Sequence, residues 1–226
     1  NKMAINLLGA NYEVMGYDIN KELLEALIPK GIKKATNLND FSVDTDIIIT
    51  MLPNGDIVEE VYDNIINNSK PVTLFVDCST IEVDKARKLH KKCENKNLLS
   101  LDAPVSGGVG GAEKGTLTFM VGGTENSYNI MVPLFETMGK KSLLCGPSGA
   151  GQATKACNNM LLATTMIGVG EAFSLGNSLG LDPEKLYEIL STSTGSCWAI
   201  NSYCPIKNVG PTSPADNDFK PGFSAD

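Results

Sequence analysis

The sequence predicts an open α/β sheet domain followed by an all-α domain, and three features indicate this division. Strand-like and helix-like segments alternate from Glu13 to Cys145, which is typical of a sheet with helical crossovers. Beyond Cys145 the strand patterns stop. The proline-free stretch from Gly151 to Leu179 is dominated by small and apolar residues, and it predicts one largely buried helix about 43 Å long. We therefore expect domains of residues 1–146 and 147–226, joined by this long helix.

Within the sheet domain, the apolar run from Asp46 to Leu52 is the clearest strand, because it has the composition of a strand buried on both faces of a parallel sheet. Pro53-Asn54-Gly55 ends it. The complete expected order is helix 1–8 ending near Gly9, strand 13–18, helix 21–30, strand 46–52, helix 56–67, strand 72–77, helix 81–95 capped by Ser79 or Thr80, strands 98–103 and 117–121, helix 126–138 and strand 142–145.

The second domain has one further helix signal and a long tail. Asp182 is a good N-cap and Pro183 suits the first helical position, so we expect a helix that runs to about Thr192. The tail from Ser193 onward is rich in Gly, Pro, Ser and Asn, and it predicts a loop.

Composition excludes several classes of partner. The chain has 226 residues, 42% of them hydrophobic, and a net charge of −7, which disfavours nucleic acid and anionic membranes. Glu171 interrupts the best candidate for a membrane span. His90 is the only histidine and none of the six cysteines forms a C-x-x-C pair, so we expect no metal site and no histidine base.

Asp18 closes the strand predicted over residues 13–18. In a dinucleotide-binding fold an acid at this point binds the ribose hydroxyls of the adenosine. The absence of arginine from Tyr17 to Asn20 favours NAD over NADP, because an anionic aspartate repels a 2′-phosphate. Asp18 is equally well explained as a turn or capping residue. The phosphate-binding pattern G-x-G-x-x-G does not occur in the sequence.

Leu52, Pro53 and Thr80 each follow a predicted strand. They should therefore lie at the carboxyl edge of the sheet, where open α/β sheets bind ligands. The alternative is that Pro53 is a turn residue and Thr80 a helix cap.

Four glycines occur among residues 107–111, directly after Ser106. Such a segment exposes backbone N–H groups that can hold a small carboxylate. A flexible turn without a ligand is the alternative interpretation.

Lys155 lies near the start of the long helix, on one face with Gly151 and Asn159 at i, i+4 spacing. The residues three and four positions away from this lysine include no acid. A lysine beside amides and a glycine suggests a site, although most helical lysines are simply exposed.

Together these segments resemble the β-hydroxyacid dehydrogenase family, and within it the 3-hydroxyisobutyrate dehydrogenases of valine breakdown. The motifs that carry the resemblance span the chain: Asp102-Ala-Pro-Val-Ser-Gly-Gly, Leu117-Thr-Phe-Met-Val-Gly-Gly, Gly151-Gln-Ala-Thr-Lys-Ala-Cys-Asn-Asn and Ser196-Cys-Trp. The resemblance implies a Rossmann-type NAD-binding domain that lacks its first strand and glycine-rich loop, followed by the start of a helical substrate and dimerisation domain.

The resemblance also implies a role for each candidate residue. Lys155 would be the catalytic acid/base and Asn159 its partner beside the substrate. Ser106, Gly107 and Gly108 would bind the substrate carboxylate. The cofactor would contact Leu52, Pro53, Thr80 and Asp18, while Trp198 and Phe223 would approach the cleft.

The reaction of this family oxidises a primary alcohol with NAD, which takes the hydride, while a base takes the proton. With no usable histidine and no zinc, the base must be a lysine. An ordinary lysine is protonated at neutral pH, so we expect burial or a neighbouring cation to lower the pKa of Lys155.

By resemblance we also expect a small hydroxycarboxylic acid as substrate, a homodimer or homotetramer, a mitochondrial location, and a chain that is an internal piece of a longer enzyme. Two alternatives remain at this point. One is a related reductase of glyoxylate, succinic semialdehyde or tartronate semialdehyde. The other is a non-catalytic homologue that serves as a scaffold.

Overall fold

The computed structural model describes residues 2–41 and 45–219. Its contacts divide the chain into two compact units, Asn1–Lys155 and Ala156–Asp226. Within the described residues, no helix has both the length and the hydropathy that crossing a membrane requires.

Among the described residues, the strands all lie in the first unit. In chain order they are β1 (Met15–Gly16), β2 (Lys33–Lys34), β3 (Ile47–Thr50), β4 (Leu74–Asp77), β5 (Leu99–Asp102), β6 (Val105–Ser106), β7 (Leu117–Gly123) and β8 (Gly139–Gly146).

The helices occur in both units. They are α1 (Lys2–Gly9), α2 (Lys21–Glu25), α3 (Gly55–Ile65), α4 (Val83–Glu94), α5 (Gly108–Lys114), α6 (Glu125–Met138), α7 (Ala150–Ser178), α8 (Pro183–Thr192) and α9 (Trp198–Asn201), with 3-10 turns at Ile28–Lys30, Leu38–Phe41, Ile66–Asn68 and Pro214–Asn217.

Six strands form the main sheet, in the order β3-β4-β5-β7-β6, with β8 paired along β7 from Leu117 to Gly122. The pairs β3–β4, β4–β5 and β7–β8 are parallel, which together with the helices between them confirms the Rossmann-like α/β prediction. The strand β7 runs antiparallel to β5 and β6, so the sheet is mixed. A separate two-stranded parallel sheet consists of β1 and β2.

The register of the parallel strands brings three polar residues into one row. Thr50 pairs with Asp77, and Asp77 pairs with Asp102, at the carboxyl ends of β3, β4 and β5. The prediction that Leu52 and Thr80 follow neighbouring strands at the same edge is therefore confirmed.

Two apolar clusters hold the sheet between its helices. Phe119 and Phe135 are fully buried on one side, with ring centroids 4.6 Å apart. Tyr62 and Phe75 are buried in the other cluster, with centroids 5.0 Å apart. Burial of such side chains stabilises the fold by roughly 1.5–3 kcal/mol each, so this sheet is a rigid base for its carboxyl edge.

Several predicted boundaries were wrong. The helix expected over residues 21–30 ends at Glu25, because Pro29 cannot continue an α-helix, and a 3-10 turn follows. The strand expected over 13–18 contains only residues 15–16. The helix α4 has Glu82 at its N-cap without a side-chain hydrogen bond, so neither Ser79 nor Thr80 caps it. Ser79 was misassigned as a cap because its hydroxyl oxygen accepts the Leu52 N–H instead.

The glycine-rich segment after Ser106 was expected to be a loop, and it is the short helix α5. Its N-cap residue Gly107 has φ 131° and Gly108 has φ 61°, values that favour glycine over residues with a side chain. The two glycines therefore form the sharp turn that lets a helix begin directly after β6.

In the second unit, α8 is capped as predicted, because the Asp182 carboxylate accepts the N–H groups of Glu184 and Lys185. A loop was expected from Ser193 onward, but within residues 193–219 this segment contains α9 and a 3-10 turn with a capping box at Ser213 and Asp216. Residues of α8, α9 and the segment that follows α9 as far as Val209 pack against buried residues of the long helix, including Phe173.

The long helix itself was expected to be largely buried, and this is wrong for the described structure. Met160, Leu161, Ile167 and Leu175 are each more than 60% exposed. Apolar residues occur around the whole helix, whereas α8, α9 and the tail cover only one face of it.

Candidate active site

The carboxyl edge of the main sheet carries a buried polar network that starts at Asp77. The Thr50 hydroxyl donates to Asp77 Oδ1 (2.8 Å), and the Ser79 N–H donates to the same oxygen (3.1 Å). Asp77 Oδ2 has no hydrogen-bond partner among the described residues. Asp77 is also one of the residues that line a cavity of about 10 Å³, roughly the space of one water molecule. Burial raises the pKa of Asp77, and the nearby Asp102 carboxylate raises it further.

The two segments predicted to line the cofactor are joined directly. The Leu52 N–H donates to the hydroxyl oxygen of Ser79, at 2.9 Å. Ser79 therefore connects the ends of β3 and β4 and cannot serve as a helix cap. Pro53 and Thr80 lie next to this bond and are exposed, as is Met51.

This edge fits a dinucleotide. Its buried polar groups are largely satisfied by one another, while Met51 and Pro53 present exposed apolar surface and Thr80 an exposed hydroxyl. An apolar surface with a few hydrogen-bonding groups is the usual lining of a cofactor site.

Gln152 connects the same edge to the start of α7. Its side-chain amide donates to the Ser79 carbonyl (2.8 Å), and its amide oxygen accepts the Ile81 N–H (3.1 Å). The side chain is 2% exposed. Sequence reasoning missed this residue, although a glutamine beside a glycine at the start of an apolar helix was the available signal.

Asp102 makes a second connection between the sheet and α7. Its two carboxylate oxygens accept the N–H groups of Gly149 (2.8 Å) and Gln152 (2.9 Å). His90 Nε2 lies 2.9 Å from Asp102 Oδ1. Burial alone would raise the pKa of Asp102, but the hydrogen bonds from His90, Gln152 and Gly149 together lower it below its ordinary value.

This connection requires glycine at two positions. A Cβ atom at Gly151 would collide with the carbonyl oxygens of Met120 and Asp102, and a Cβ atom at Gly122 would collide with the Asp102 carboxylate. The helix start therefore lies directly on the ends of β5 and β7.

Lys155 follows one turn after Gly151. Its ammonium group donates to the carbonyl oxygen of Val105 at 2.8 Å, and its side chain is partly buried. This burial lowers the pKa of Lys155, in the direction that a base at neutral pH requires. The amine is thus held beside the backbone of β6, one residue before Ser106.

Ser106, Gly107 and Gly108 form the turn from β6 into α5. Ser106 pairs with Thr118 of β7 and is partly buried, whereas both glycines are exposed. The N–H groups in the first turn of α5 have no partner within the helix, as at every helix start. The structure thus brings this turn close to the Lys155 amine.

Three other predicted residues have partners of their own. Asp18 is exposed and its carboxylate accepts the Asn20 N–H (2.8 Å), which is the turn arrangement that the sequence left open. Asn159 belongs to the second unit, where it is exposed and accepts a hydrogen bond from Asn158 (3.2 Å). Trp198, also in the second unit, stacks on Tyr203, and Phe223 lies outside the described residues.

Over the part of the chain that the structure describes, no three His, Cys, Asp or Glu side chains are grouped as ligands of a metal ion.

Family models match both parts of the chain. Residues 1–146 match the NAD binding domain of 6-phosphogluconate dehydrogenase, and residues 149–226 match the NAD-binding domain of NADP-dependent 3-hydroxyisobutyrate dehydrogenase.

Similar proteins of known name or structure agree with these models. The mitochondrial 3-hydroxyisobutyrate dehydrogenase of Drosophila melanogaster is 46% identical over 99% of this chain and 69% of its own length. The NAD-dependent L-serine dehydrogenase of Pseudomonas aeruginosa is 42% identical over 99% of this chain and 76% of its own. A solved structure of Mycobacterium tuberculosis 3-hydroxyisobutyrate dehydrogenase with L-serine has a TM-score of 0.93 and 44% identity, covering 99% of this chain and 77% of that one.

Proposed function

Since the chain belongs to the 3-hydroxyisobutyrate dehydrogenases, a family of NAD-dependent β-hydroxyacid dehydrogenases, we propose that it oxidises 3-hydroxyisobutyrate to methylmalonate semialdehyde in valine catabolism. In this proposal Lys155 is the general acid/base. Ser106, Gly107 and Gly108 bind the substrate carboxylate, and Asn159 binds beside the alcohol.

The observation that carries this proposal is the hydrogen bond from the Lys155 ammonium to Val105, one residue before Ser106. A 3-hydroxy acid has its carboxylate and its alcohol two carbons apart. The Ser106 hydroxyl and the N–H groups at the start of α5 are suitable donors for the carboxylate. With the acid end there, the alcohol end comes within reach of the lysine amine.

The proton balance favours a lysine with a lowered pKa. In the oxidation, the alcohol carbon loses a hydride and the alcohol oxygen loses its proton to the neutral amine of Lys155. NAD, when bound, accepts the hydride at the nicotinamide C4. Burial of Lys155 increases the fraction of neutral amine at a given pH. In the reverse direction the ammonium form donates the proton to the developing alkoxide.

The same proposal gives the cofactor contacts. Leu52, Pro53 and Thr80 line the cofactor; they follow β3 and β4, whose ends are joined by the Leu52–Ser79 hydrogen bond. Asp18 binds the ribose of the adenosine and disfavours the 2′-phosphate of NADP. What supports Asp18 is its exposure after β1 and the absence of arginine beside it.

A second candidate substrate is L-serine, because a relative 42% identical to this chain is named an NAD-dependent L-serine dehydrogenase. L-Serine and 3-hydroxyisobutyrate share a carboxylate and a primary alcohol in the same positions. They differ at carbon 2, which carries an ammonium group in serine and a methyl group in 3-hydroxyisobutyrate. The same lysine and the same carboxylate site therefore suit both.

The test compares kcat/KM for 3-hydroxyisobutyrate and L-serine, and for the reduction of glyoxylate, succinic semialdehyde and tartronate semialdehyde, with both cofactors. We expect the highest value with 3-hydroxyisobutyrate and NAD, and a loss of about 10²–10⁴-fold in Lys155→Ala. Turnover that is unchanged in Lys155→Ala would refute the role of this lysine. No detectable NADH binding by fluorescence would instead support the non-catalytic scaffold.

Three further expectations belong to the same proposal. We place the domain boundary between residues 146 and 147, and expect the helical part to make a homodimer or homotetramer, which light scattering would measure. We also expect a mitochondrial location, like that named for the Drosophila relative, and cell fractionation would test it.

A further inference from the structure

Asp102, at the end of β5, connects the sheet to α7 at the point where this helix begins. It is 2% exposed, and its oxygens accept the N–H groups of Gly149 and Gln152. A carboxylate at a helix N-terminus is favourable because it complements the positive end of the helix dipole. Charge-assisted hydrogen bonds of this kind are stronger than neutral ones.

The segment from Asp102 to Val105 is attached to α7 twice. The Asp102 carboxylate binds the helix start, and the Val105 carbonyl accepts the Lys155 ammonium one turn later. Gly151 lies between Gly149 and Gln152, whose N–H groups both donate to Asp102, and its lack of a side chain permits the close contact. The position of the lysine amine relative to Ser106 therefore depends on where Asp102 holds the first turn.

His90 in turn orients Asp102. Its Nε2 lies 2.9 Å from Asp102 Oδ1 and its Nδ1 lies 2.8 Å from the Ser100 hydroxyl. An ionised carboxylate only accepts hydrogen bonds, so Nε2 must carry a proton. In the neutral imidazole, Nδ1 then accepts the Ser100 proton. Both ring nitrogens are thus used, and the ring is held in one orientation.

We propose that Asp102 is a positioning residue, oriented by His90, that places the Lys155 amine beside Ser106. This inference rests on the proposed function of Lys155. In this proposal, neither Asp102 nor His90 touches the reacting atoms. Both act by fixing the position of the Lys155 amine.

The first test measures the titration of Lys155 directly, in protein whose lysines carry ¹³C-methyl groups, by NMR. In the unaltered protein, the pKa of Lys155 should lie below that of an exposed lysine. In Asp102→Asn, the start of α7 should be held less firmly and the Lys155 amine should become more exposed to solvent. The pKa of Lys155 should therefore rise. Mere removal of a negative charge would lower the pKa of a lysine, so the direction separates repositioning from a simple charge effect.

The second test is kinetic. Asp102→Asn should lower kcat by about 100-fold per folded active site, with little change in KM, because a shift of about 1 Å suffices for such a loss. His90→Ala should show a smaller loss in kcat. His90→Gln should restore most of it, since the glutamine amide can again donate to Asp102. Asp84→Asn, on the same helix as His90 and 96% exposed, is the matched control and should behave like the unaltered protein.

A folded Asp102→Asn protein with an unchanged Lys155 titration and unchanged kcat would overturn the proposal. If Asp102→Asn does not fold, the two His90 variants decide: equal kcat in His90→Ala and His90→Gln would overturn it. Failure of the proposed function gives a different result: Lys155→Ala would keep full turnover. The pKa of Lys155 could still rise in Asp102→Asn, because that measurement does not depend on catalysis.

Discussion

The ammonium group of Lys155 donates a 2.8 Å hydrogen bond to the carbonyl oxygen of Val105. The lysine lies in the first turns of α7, whereas Val105 begins the short strand β6, 50 residues earlier in the chain. This bond brings the amine next to Ser106 and partly removes it from water. The lowered pKa of the lysine and the position of its amine near Ser106 therefore have the same structural cause.

The first prediction concerns the pH dependence of oxidation. Because burial lowers the pKa of Lys155, kcat/KM should rise with pH and level off below the ordinary lysine value of about 10.4. In Lys155→Arg the side chain stays charged, so the rate should fall by about 10²–10⁴-fold and show no such plateau. Initial rates from pH 6 to 11 measure both. The same plateau in Lys155→Arg would show that another group is the base.

The second prediction concerns the contact between Gly151 and Asp102. A methyl group at Gly151 would collide with backbone oxygens, so Gly151→Ala should destabilise the protein by about 1–3 kcal/mol in urea unfolding. The matched control is Gly168→Ala on the same helix, where a Cβ meets nothing within 4 Å. There the better helix propensity of alanine should stabilise by about 0.5–1 kcal/mol. Equal stability of the two variants would contradict the close contact.

The third prediction concerns Gln152, which holds Ser79 and Ile81 behind the proposed cofactor surface. Gln152→Glu keeps an acceptor for the Ile81 N–H but has no donor for the Ser79 carbonyl. We expect the Kd of NADH to rise about tenfold, equivalent to about 1.4 kcal/mol. Fluorescence titration measures this. The control is Asn64→Ala, which removes an exposed hydrogen bond from the Asn64 side chain to the Glu60 carbonyl within α3. It should leave the Kd of NADH unaltered. An unchanged Kd in Gln152→Glu would mean that this edge does not support the cofactor.

The fourth prediction concerns Asp77, whose pKa is raised by burial and by the nearby Asp102. A raised pKa means that the folded state binds its proton more tightly than the unfolded state does, so the aspartate lowers stability as pH rises above about 3.9. Asp77→Asn keeps an acceptor for Thr50 and removes this titration. The stability of the variant relative to the unaltered protein should therefore increase from pH 4 to pH 7. A constant difference in urea unfolding free energy over that range would rule this out.

The fifth prediction concerns Glu59, which lies 2.6 Å from Lys88 and 2.7 Å from Lys92. These hydrogen bonds lower the pKa of Glu59 to about 2. A lowered folded pKa adds stability above the ordinary value of about 4.3, and this stability is lost as pH falls toward 2. Glu59→Gln should cost about 1 kcal/mol at pH 7, since the pairs are partly screened, and clearly less at pH 2, where about half of the folded carboxyl groups are protonated.

The neighbouring Glu60 is a control for that measurement, because it is exposed and makes no ion pair in the described structure. Glu60→Gln should leave the unfolding free energy within about 0.5 kcal/mol at both pH values. Equal effects of the two substitutions at pH 7 would contradict a specific role of Glu59.

Local patterns in the sequence predicted much of this fold. The run before Met51, the Asp182–Pro183 start of α8 and the long proline-free stretch each appear in the structure close to where they were expected. These signals are local, because strand burial, capping and helix propensity depend on neighbouring residues. The resemblance to the dehydrogenase family also rested on continuous motifs, and it was confirmed by relatives that match nearly the whole chain.

The hydrogen bonds around the candidate site were not predictable in the same way. His90 was set aside as a catalytic base, and Asp102 and Gln152 received no role of their own. Each of them acts through a partner 10 to 73 residues away in the chain. Such pairs leave no periodic signal, because their spacing is determined by the register of the sheet.

By itself, the sequence determined the fold class, the family, the NAD dependence and the identity of the lysine as a candidate base. The tertiary structure alone decided that β7 runs antiparallel to β5 and that Asp102 binds the start of α7. It also decided that the Lys155 amine lies beside Ser106 rather than in open solvent. The physical reason is that propensity and motif act over a few residues, whereas desolvation and hydrogen-bond geometry exist only once distant segments have packed together.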